Sequence, residues 1–342
     1  MLEERNSLVV LTGPTAVGKT KLSIALAKKI GGEIISADSM QVYRHMDIGS
    51  AKIRPEEMQG VPHHLIDVLE PSEDFNVVIF QEKCKECMAG IYERGHIPIL
   101  TGGTGFYIQA VLNNIDFTEN EMDTAYRKSL EELVKHRGAE ALHELLLQAD
   151  PASAAAIHPN NIKRTIRALE YFHMTGERIS EHNELEREKG SAYASCYFVL
   201  NDDRQKLYEQ IDQRVDEMLA KGLVEEVEKL KKMGCHRGQV SMQGLGYKEI
   251  LDYLEGDCTL EEAVYLIKRD TRHFAKRQLT WFRREREVIW IDKDKFQYDD
   301  EKILAFMLEK IKSKQRKKIE KENRENNILR KGNKNEQNTD NV

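Results

Sequence analysis

The run Gly13-Pro14-Thr15-Ala16-Val17-Gly18-Lys19-Thr20 constrains this chain more than any other feature, because it fits the P-loop pattern of two glycines with four residues between them, followed by Lys and Thr. It lies between an apolar stretch, Leu8 to Leu11, and an amphipathic stretch with Leu22, Leu26 and Ile30 at helical spacing. A strand feeding a glycine-rich turn and then a helix is the context a P-loop requires. With glycine at about 7% of residues, a chance match in a chain this long has odds on the order of one in a hundred. The chemistry is simple. Such a turn aims backbone N–H groups and a helix N-terminus at a phosphate chain, Lys19 adds a point charge, and Thr20 offers a hydroxyl to Mg2+. The competing reading, a glycine-rich turn without a ligand, is the weaker one.

The alternation continues with Glu33 to Ser36 as a second strand. A helix follows from Val77 to Glu93, with Ile79, Phe80, Cys84, Cys87, Met88 and Ile91 as its apolar positions, and Gly95 closes it. Ile97 to Leu100 reads as a buried strand. Parallel strands with crossover helices predict an α/β fold, a P-loop NTPase-like parallel sheet flanked by helices. From about Met122 to Arg187 strand signals stop and helical periods follow one another, such as Leu130-Leu133-Val134 and Leu142-Leu145-Leu146. This predicts a helical insertion domain. A strand returns at Cys196 to Leu200, helices resume from Arg204, and Val288 to Ile291 reads as a late strand. The expected organisation is a first part of the catalytic core over 1–121, the insertion over 122–190, a second part of the core over 191–311 and a polar tail over 312–342. The tail holds ten Lys/Arg, five acidic residues and hardly any large apolar side chain, which predicts disorder.

A chain of 342 residues with 40% hydrophobic content can bury a large core. No run of about 18 apolar residues occurs, and Met1-Leu2-Glu3-Glu4-Arg5 lacks the order of a signal peptide, so a soluble cytoplasmic protein without membrane partners is expected, as a monomer. The five cysteines show no framework spacing, and Cys84 and Cys87 lack a second pair to complete a zinc site. The net charge of −6 does not suggest nucleic acid, yet Lys268 to Arg286 carries eight Lys/Arg against two acidic residues. That run reads as a solvated helix face or as a basic surface for RNA. Trp281 and Phe282 beside it either fill a core or stack on unpaired bases.

A P-loop alone specifies a phosphate chain, most often ATP or GTP. Here GTPase signals are not evident and no strand ends in an obvious Walker-B aspartate; Ile97 to Leu100 leads instead into Thr101-Gly102-Gly103-Thr104. Asp38 and Thr104 stand at carboxyl ends of expected strands, where ligands bind in open α/β sheets. Asp38 there can serve as a general base, hold magnesium through water, or cap a turn, and position leaves all three open. His63, His64 and His158 have no ligand spacing and read as structural or surface residues. Arg214 follows a helical period through Leu207 and Ile211 and by itself reads as a solvated helix charge.

Several words extend this picture. Beside the P-loop stand Ser36-Ala37-Asp38-Ser39-Met40-Gln41-Val42-Tyr43-Arg44 and Met46-Asp47-Ile48-Gly49-Ser50-Ala51-Lys52. Then come Gly102-Gly103-Thr104-Gly105-Phe106-Tyr107, His158-Pro159-Asn160-Asn161, Gln243-Gly244-Leu245-Gly246-Tyr247-Lys248-Glu249 and Lys276-Arg277-Gln278-Leu279-Thr280-Trp281-Phe282-Arg283. In this order, over roughly Leu8 to Ile311, they closely resemble the bacterial tRNA dimethylallyltransferase family. The resemblance implies transfer of a dimethylallyl group from dimethylallyl diphosphate to the exocyclic amine of the adenosine 3′ of the anticodon in tRNA, with release of diphosphate. It implies Asp38 as the base, with Ser39, Met40 and Gln41 beside it at the tRNA, and Thr104 holding the adenosine. It also implies that Gly13 to Thr20 hold the diphosphate with Mg2+, the Thr20 hydroxyl on the metal, while Arg214 stabilises the departing charge. Arg127, Asn160, Asn161, Ile162, Lys163, Arg164, Met242, Gln243, Gly244, Leu245, Gly246 and Tyr247 are implied to touch the anticodon stem-loop. The tail lies outside the pattern, and the zinc finger of eukaryotic members is absent. Rival readings are an enzyme prenylating free AMP, a small-molecule kinase and a tRNA-binding protein without catalysis; the insertion and the basic segment suit a large polyanion.

Overall fold

Leu8-Val9-Val10-Leu11 and Ile99-Leu100 are apolar without alternation, as strands covered on both faces must be. In the computed structural model, which describes residues 6–117, 124–188 and 190–316, they form the two central strands of a parallel sheet. The chain falls into two units, Met1–Val111 with Tyr193–Val342, and Leu112–Ala192. The first unit opens with β1 (Ser7–Thr12), α1 (Lys19–Ile30), β2 (Gly32–Ala37), β3 (His63–His64), α2 (Val77–Glu93), β4 (Ile97–Gly102) and α3 (Gly105–Leu112). The second holds α4 (Thr124–Ala149), α5 (Pro151–Ala156), α6 (Ile162–Thr175) and α7 (Ile179–Glu188). The first then resumes with β5 (Ala194–Asn201), α8 (Arg204–Ala220), α9 (Leu223–Lys232), α10 (Tyr247–Glu255), α11 (Leu260–Phe282) and β6 (Val288–Asp292), and a last helix, α12, runs over 300–316.

The strand order is β3-β2-β4-β1-β5-β6, with every pairing parallel. Val9, Leu11, Ile34, Ile99 and Phe198 bury one sheet face under α1, α8 and α12, through Leu22, Leu26, Leu207, Ile211, Ile303 and Met307. Leu8, Val10, Ile35 and Leu100 of the other parity are buried as well, on the side where α2 supplies Phe80, Cys84, Met88 and Ile91. Thr12 and Ala37 both pair with Gly102, so β1, β2 and β4 end level and the segments after them emerge together. The Thr12 hydroxyl donates to the Gly102 carbonyl at 2.6 Å. A Cβ on Gly102 would fall 2.1 Å from the Ala37 carbonyl oxygen, so only glycine permits this approach.

Two differences from the sequence reading have local causes. The strand β3 was not foreseen; it is two residues long and carries no apolar pattern, being held on the edge of β2 by pairing with Ile34 and Ile35. The helix α12 carries Ile311 into the core and continues through 316, past the expected tail boundary at 312. The remainder of the tail lies outside the described residues. In the second unit, among the described residues, there is no strand, and Leu130, Leu142, Leu146, Ile166 and Leu169 form a core of their own. Gly138, with φ of 82°, interrupts α4, and buried Asp150 caps α5 while accepting from the Ser180 amide at the start of α7. No helix among the described residues is long and apolar enough to cross a membrane.

At the amino end of β2, Glu33 is 2% exposed and receives both Arg94 donors at 2.9 and 2.8 Å, with His96 Nδ1 and His64 Nε2 each at 2.6 Å. The Arg94 guanidinium, against the cost of burial and with help from the two imidazoles, holds this carboxyl down to about 2. A carboxylate with a depressed folded pKa stabilises fully above the ordinary glutamate value of 4.5 and loses that contribution as pH falls toward 2. Glu33→Gln should therefore cost on the order of 2 kcal/mol at neutral pH, after allowance for solvent screening of the half-exposed Arg94 and His96. Urea unfolding of parent and variant should show that gap at about pH 7 and a smaller one at about pH 3.

Candidate active site

The loop between β1 and α1 is built to leave donors unused. Gly13 has φ of 149°, and a Cβ there would lie 2.5 Å from the Leu200 carbonyl oxygen of β5. Gly18, with φ of 95°, caps α1 without a side-chain hydrogen bond, so the first-turn amides are left for a ligand. Lys19 Nζ donates to the Gly13 and Pro14 carbonyls at 3.0 and 2.7 Å, folded back under the loop. Arg214 reaches in from α8, its Nη1 3.5 Å from the Thr15 hydroxyl. Burial first and the neighbouring Arg214 second bring the Lys19 ammonium down to about 7, while Asp38 opposes the shift. Arg214 is lowered too, by burial first, against the pull of Glu217 and Asp38. Two crowded cations with a carboxylate in range form a field that a polyanion would relieve.

Asp38 follows β2 directly. Its Oδ1 accepts from the Met40 and Gln41 amides at 2.8 and 3.3 Å, so it does cap its own turn; Oδ2 takes no hydrogen bond among the described residues. The Thr104 amide donates to the Ala37 carbonyl at 3.3 Å, which seats Thr104 beside the residue preceding Asp38. Asp38, Thr104, the P-loop and Arg214 thus converge at one end of the sheet. Thr20 is exposed at the start of α1.

The residues implied to touch tRNA divide. Met40 meets the second loop of the set, since a Cβ on Gly244 would fall 2.7 Å from its sulfur. Within that loop Met242 and Tyr247 are fully buried, whereas Gln243 is exposed and Leu245 half-buried, so Gln243 and Leu245 are what this word presents to a partner. Ser39 and Gln41 are half-buried, and Gly244 and Gly246 are enclosed. In the second unit Asn160, Lys163 and Arg164 are exposed; Asn161 caps α6 on the Arg164 amide, with Ile162 behind it. Arg127 lies 3.5 Å from both Glu131 and the buried Glu170.

Three residues carry structural roles that the sequence reading did not assign. Glu226 of α9 accepts from the Asp47, Ile48 and Gly49 amides at 2.9, 2.8 and 3.1 Å and from the Tyr247 hydroxyl at 2.7 Å, joining the 46–50 loop to α9 and α10. In sequence it is one of two acids in a helix's first turn. Gln278 of α11 bonds both the P-loop and the segment after β4. Lys293, after β6, donates to the Val17 carbonyl at 3.2 Å. The basic run on α11 is partly consumed within the fold: Arg272 binds Asp212 at 2.6 Å and Lys268 binds Asp216 at 2.6 Å. Phe282 is fully buried and fills the core, whereas Trp281 is half-buried, packing on Gly105 and meeting the exposed Phe106 ring edge to face.

A phosphate cradle faced by a carboxylate at the carboxyl ends of a parallel sheet defines a P-loop enzyme of phosphate esters. The family model described as IPP transferase matches residues 41–285 and that described as isopentenyl transferase matches 6–70. The chain belongs to the IPP transferase family. It is 65% identical over 308 residues to a tRNA dimethylallyltransferase of Lachnoclostridium phytofermentans, covering 90% of this chain and 98% of the relative. A relative of the same description from Carboxydothermus hydrogenoformans is 51% identical over 300 residues, covering 87% and 96%. Among solved structures, a full-length tRNA isopentenylpyrophosphate transferase from Bacillus halodurans superposes with a TM-score of 0.69 at 46% identity, covering 92% of this chain and 99% of that one. A eukaryotic dimethylallyltransferase acting on tRNA gives 0.71 at 29% identity, covering 84% and 74%.

With Lys19 at about 7 in the free protein, much of it is neutral at about pH 8, and an arriving anion restores its proton. Binding of inorganic diphosphate should therefore take up as much as about one proton there, and affinity should weaken as pH rises above the Lys19 value. Calorimetry in buffers of different ionisation enthalpy measures the uptake. It should vanish in Lys19→Met; equal uptake in both proteins would place the titrating group elsewhere.

Proposed function

We propose that this chain transfers the dimethylallyl group of dimethylallyl diphosphate to the exocyclic amine of the adenosine 3′ of the anticodon in tRNA and releases diphosphate. The observation that carries the reading is the convergence of Asp38 with Lys19 and Arg214 at the mouth of the P-loop. The relatives' names support the substrate. An adenine amine is a poor nucleophile, its lone pair delocalised into the ring. Attack on the allylic carbon therefore needs the amine proton removed as the C–N bond forms, and Asp38 Oδ2 is the acceptor. As that bond forms, the allylic C–O bond breaks and the electron pair goes to the diphosphate. The α1 amides, Lys19 and Arg214 neutralise the growing charge from fixed positions. Thr104 holds the adenosine at the neighbouring strand end, which implies that the base is extruded from the anticodon loop to reach it.

The donor set suits Mg2+ bound mainly through substrate. Among the described residues no group of three or more His, Cys, Asp or Glu converges, while Thr20, exposed at the start of α1, would offer its hydroxyl to the ion. When bound there, Mg2+ supplies additional positive charge to the diphosphate.

Asp38→Asn keeps the shape and the turn cap but accepts no proton. Single-turnover transfer at saturating tRNA should fall about 10²- to 10⁴-fold, while tRNA affinity, spread over many phosphate and base contacts, stays near the parental value. Mass spectrometry of the nucleosides, beside a filter-binding titration, reads both. Turnover within a few-fold of the parent would leave Asp38 as a turn cap, and modification of AMP in preference to tRNA would replace the acceptor.

A further inference from the structure

We infer that Gln278 is a positioning residue that fixes the span between the diphosphate cradle and the adenosine side of the site; the inference rests on the transfer reaction proposed above. Gln278 is 6% exposed, near the end of α11. Its Oε1 accepts from the Thr15 amide at 2.9 Å, and its Nε2 donates to the Gly103 carbonyl at 2.9 Å. One planar amide therefore holds two loops that leave different strands. Thr15 sits inside the P-loop and its hydroxyl faces Arg214; Gly103 directly precedes Thr104.

The surroundings are shaped to this amide. A Cβ on Gly103 would lie 2.1 Å from Gln278 Nε2, so the neighbour is a glycine where the amide docks. Trp281, one turn further along α11, packs against Gly105 on the far side of Thr104. Toward its start the same helix grips α8 through Arg272 on Asp212 and Lys268 on Asp216, the acids flanking Arg214 by two residues on either side. Helix α11 is thus the common frame for the cradle, Arg214 and Thr104, and Gln278 is its point of contact with both loops. The chemistry selects glutamine. A carboxylate could not donate to Gly103 and would bring negative charge toward an incoming diphosphate; an ammonium could not accept from Thr15.

Transfer requires the amine and the allylic carbon to meet within about 3–3.5 Å, and a misplacement near 1 Å costs roughly 10²-fold in rate. Loosening the span should therefore act on the chemical step more than on binding. Two variants reach it independently: Gln278→Met keeps the volume and removes both bonds, while Gly103→Ala leaves Gln278 in place and displaces its amide. Each is assayed in single turnover with saturating tRNA, dimethylallyl diphosphate and Mg2+, with the rate constant read separately from the amplitude that counts active molecules. The expected result is about a 10²-fold lower rate constant in both, with affinities for tRNA and for inorganic diphosphate within about threefold of parental. Because both changes act on the same amide bridge, the double variant should be about as slow as the slower single one. A lower amplitude with a parental rate constant, or effects that simply multiply in the double variant, would overturn the role. A parent that transfers nothing to tRNA would sink the transfer reading instead; a parent that transfers and is matched by both variants would sink Gln278 alone.

Discussion

Everything at the site depends on three strands ending level, and that alignment depends on the close approach at Gly102. The carbonyl of Gly102 takes the Thr12 hydroxyl, and its missing side chain admits the Ala37 carbonyl. A methyl group there would push β2 and β4 apart at the place where Asp38 and Thr104 leave them. The P-loop, the carboxylate and the threonine belong to three separate loops, yet a single unoccupied Cβ position sets their mutual distances. Catalytic groups on loops keep their geometry only when the scaffold beneath them is stiff, and a sheet buried on both faces provides that stiffness.

The electrostatics of the resting site run against stability. Lys19 and Arg214 both lose solvation and face each other, and the carboxylates near them, Asp38 for both and Glu217 for Arg214, relieve this only in part. Lys19 folds back onto loop carbonyls, and the α1 amides have no side-chain cap. A sequence optimised for folding alone would not leave these groups so poorly paired. The same unmet demand becomes binding energy when phosphate oxygens arrive, and it rises further as charge moves onto them during transfer.

What the sequence made legible was what short range determines. The β1–loop–α1 segment, β2, α2, β4 and α8 follow from apolar periods and glycine positions that neighbouring residues settle among themselves. Gln278 and Glu226 were not legible, because the loop amides and carbonyl they bind lie 175 residues or more away and nothing local marks either as a bridge. The strand β3 was missed because two histidines have no strand pattern of their own. The paired aromatics Trp281 and Phe282 left two readings open; full burial decides Phe282 for the core, while half-buried Trp281 packs on Gly105 beside Thr104. Resemblance grouped Met242 and Tyr247 with Gln243 and Leu245, and burial, which no pattern in the word announces, separates them: the first two are enclosed and the last two reach the surface.

The amides of Asp47, Ile48 and Gly49 all point at one carboxylate, as the amides of a phosphate loop point at one phosphate. Here the guest is Glu226, supplied by the chain itself. A tethered guest has an effective concentration that no dissolved anion approaches, so salt that strips an RNA backbone from a basic surface does not empty this seat. The loop that presents Met40 and Gln41 is thereby insulated from the ionic conditions under which its polyanionic partner comes and goes. The chain uses one backbone device twice, once open to solution and once permanently occupied.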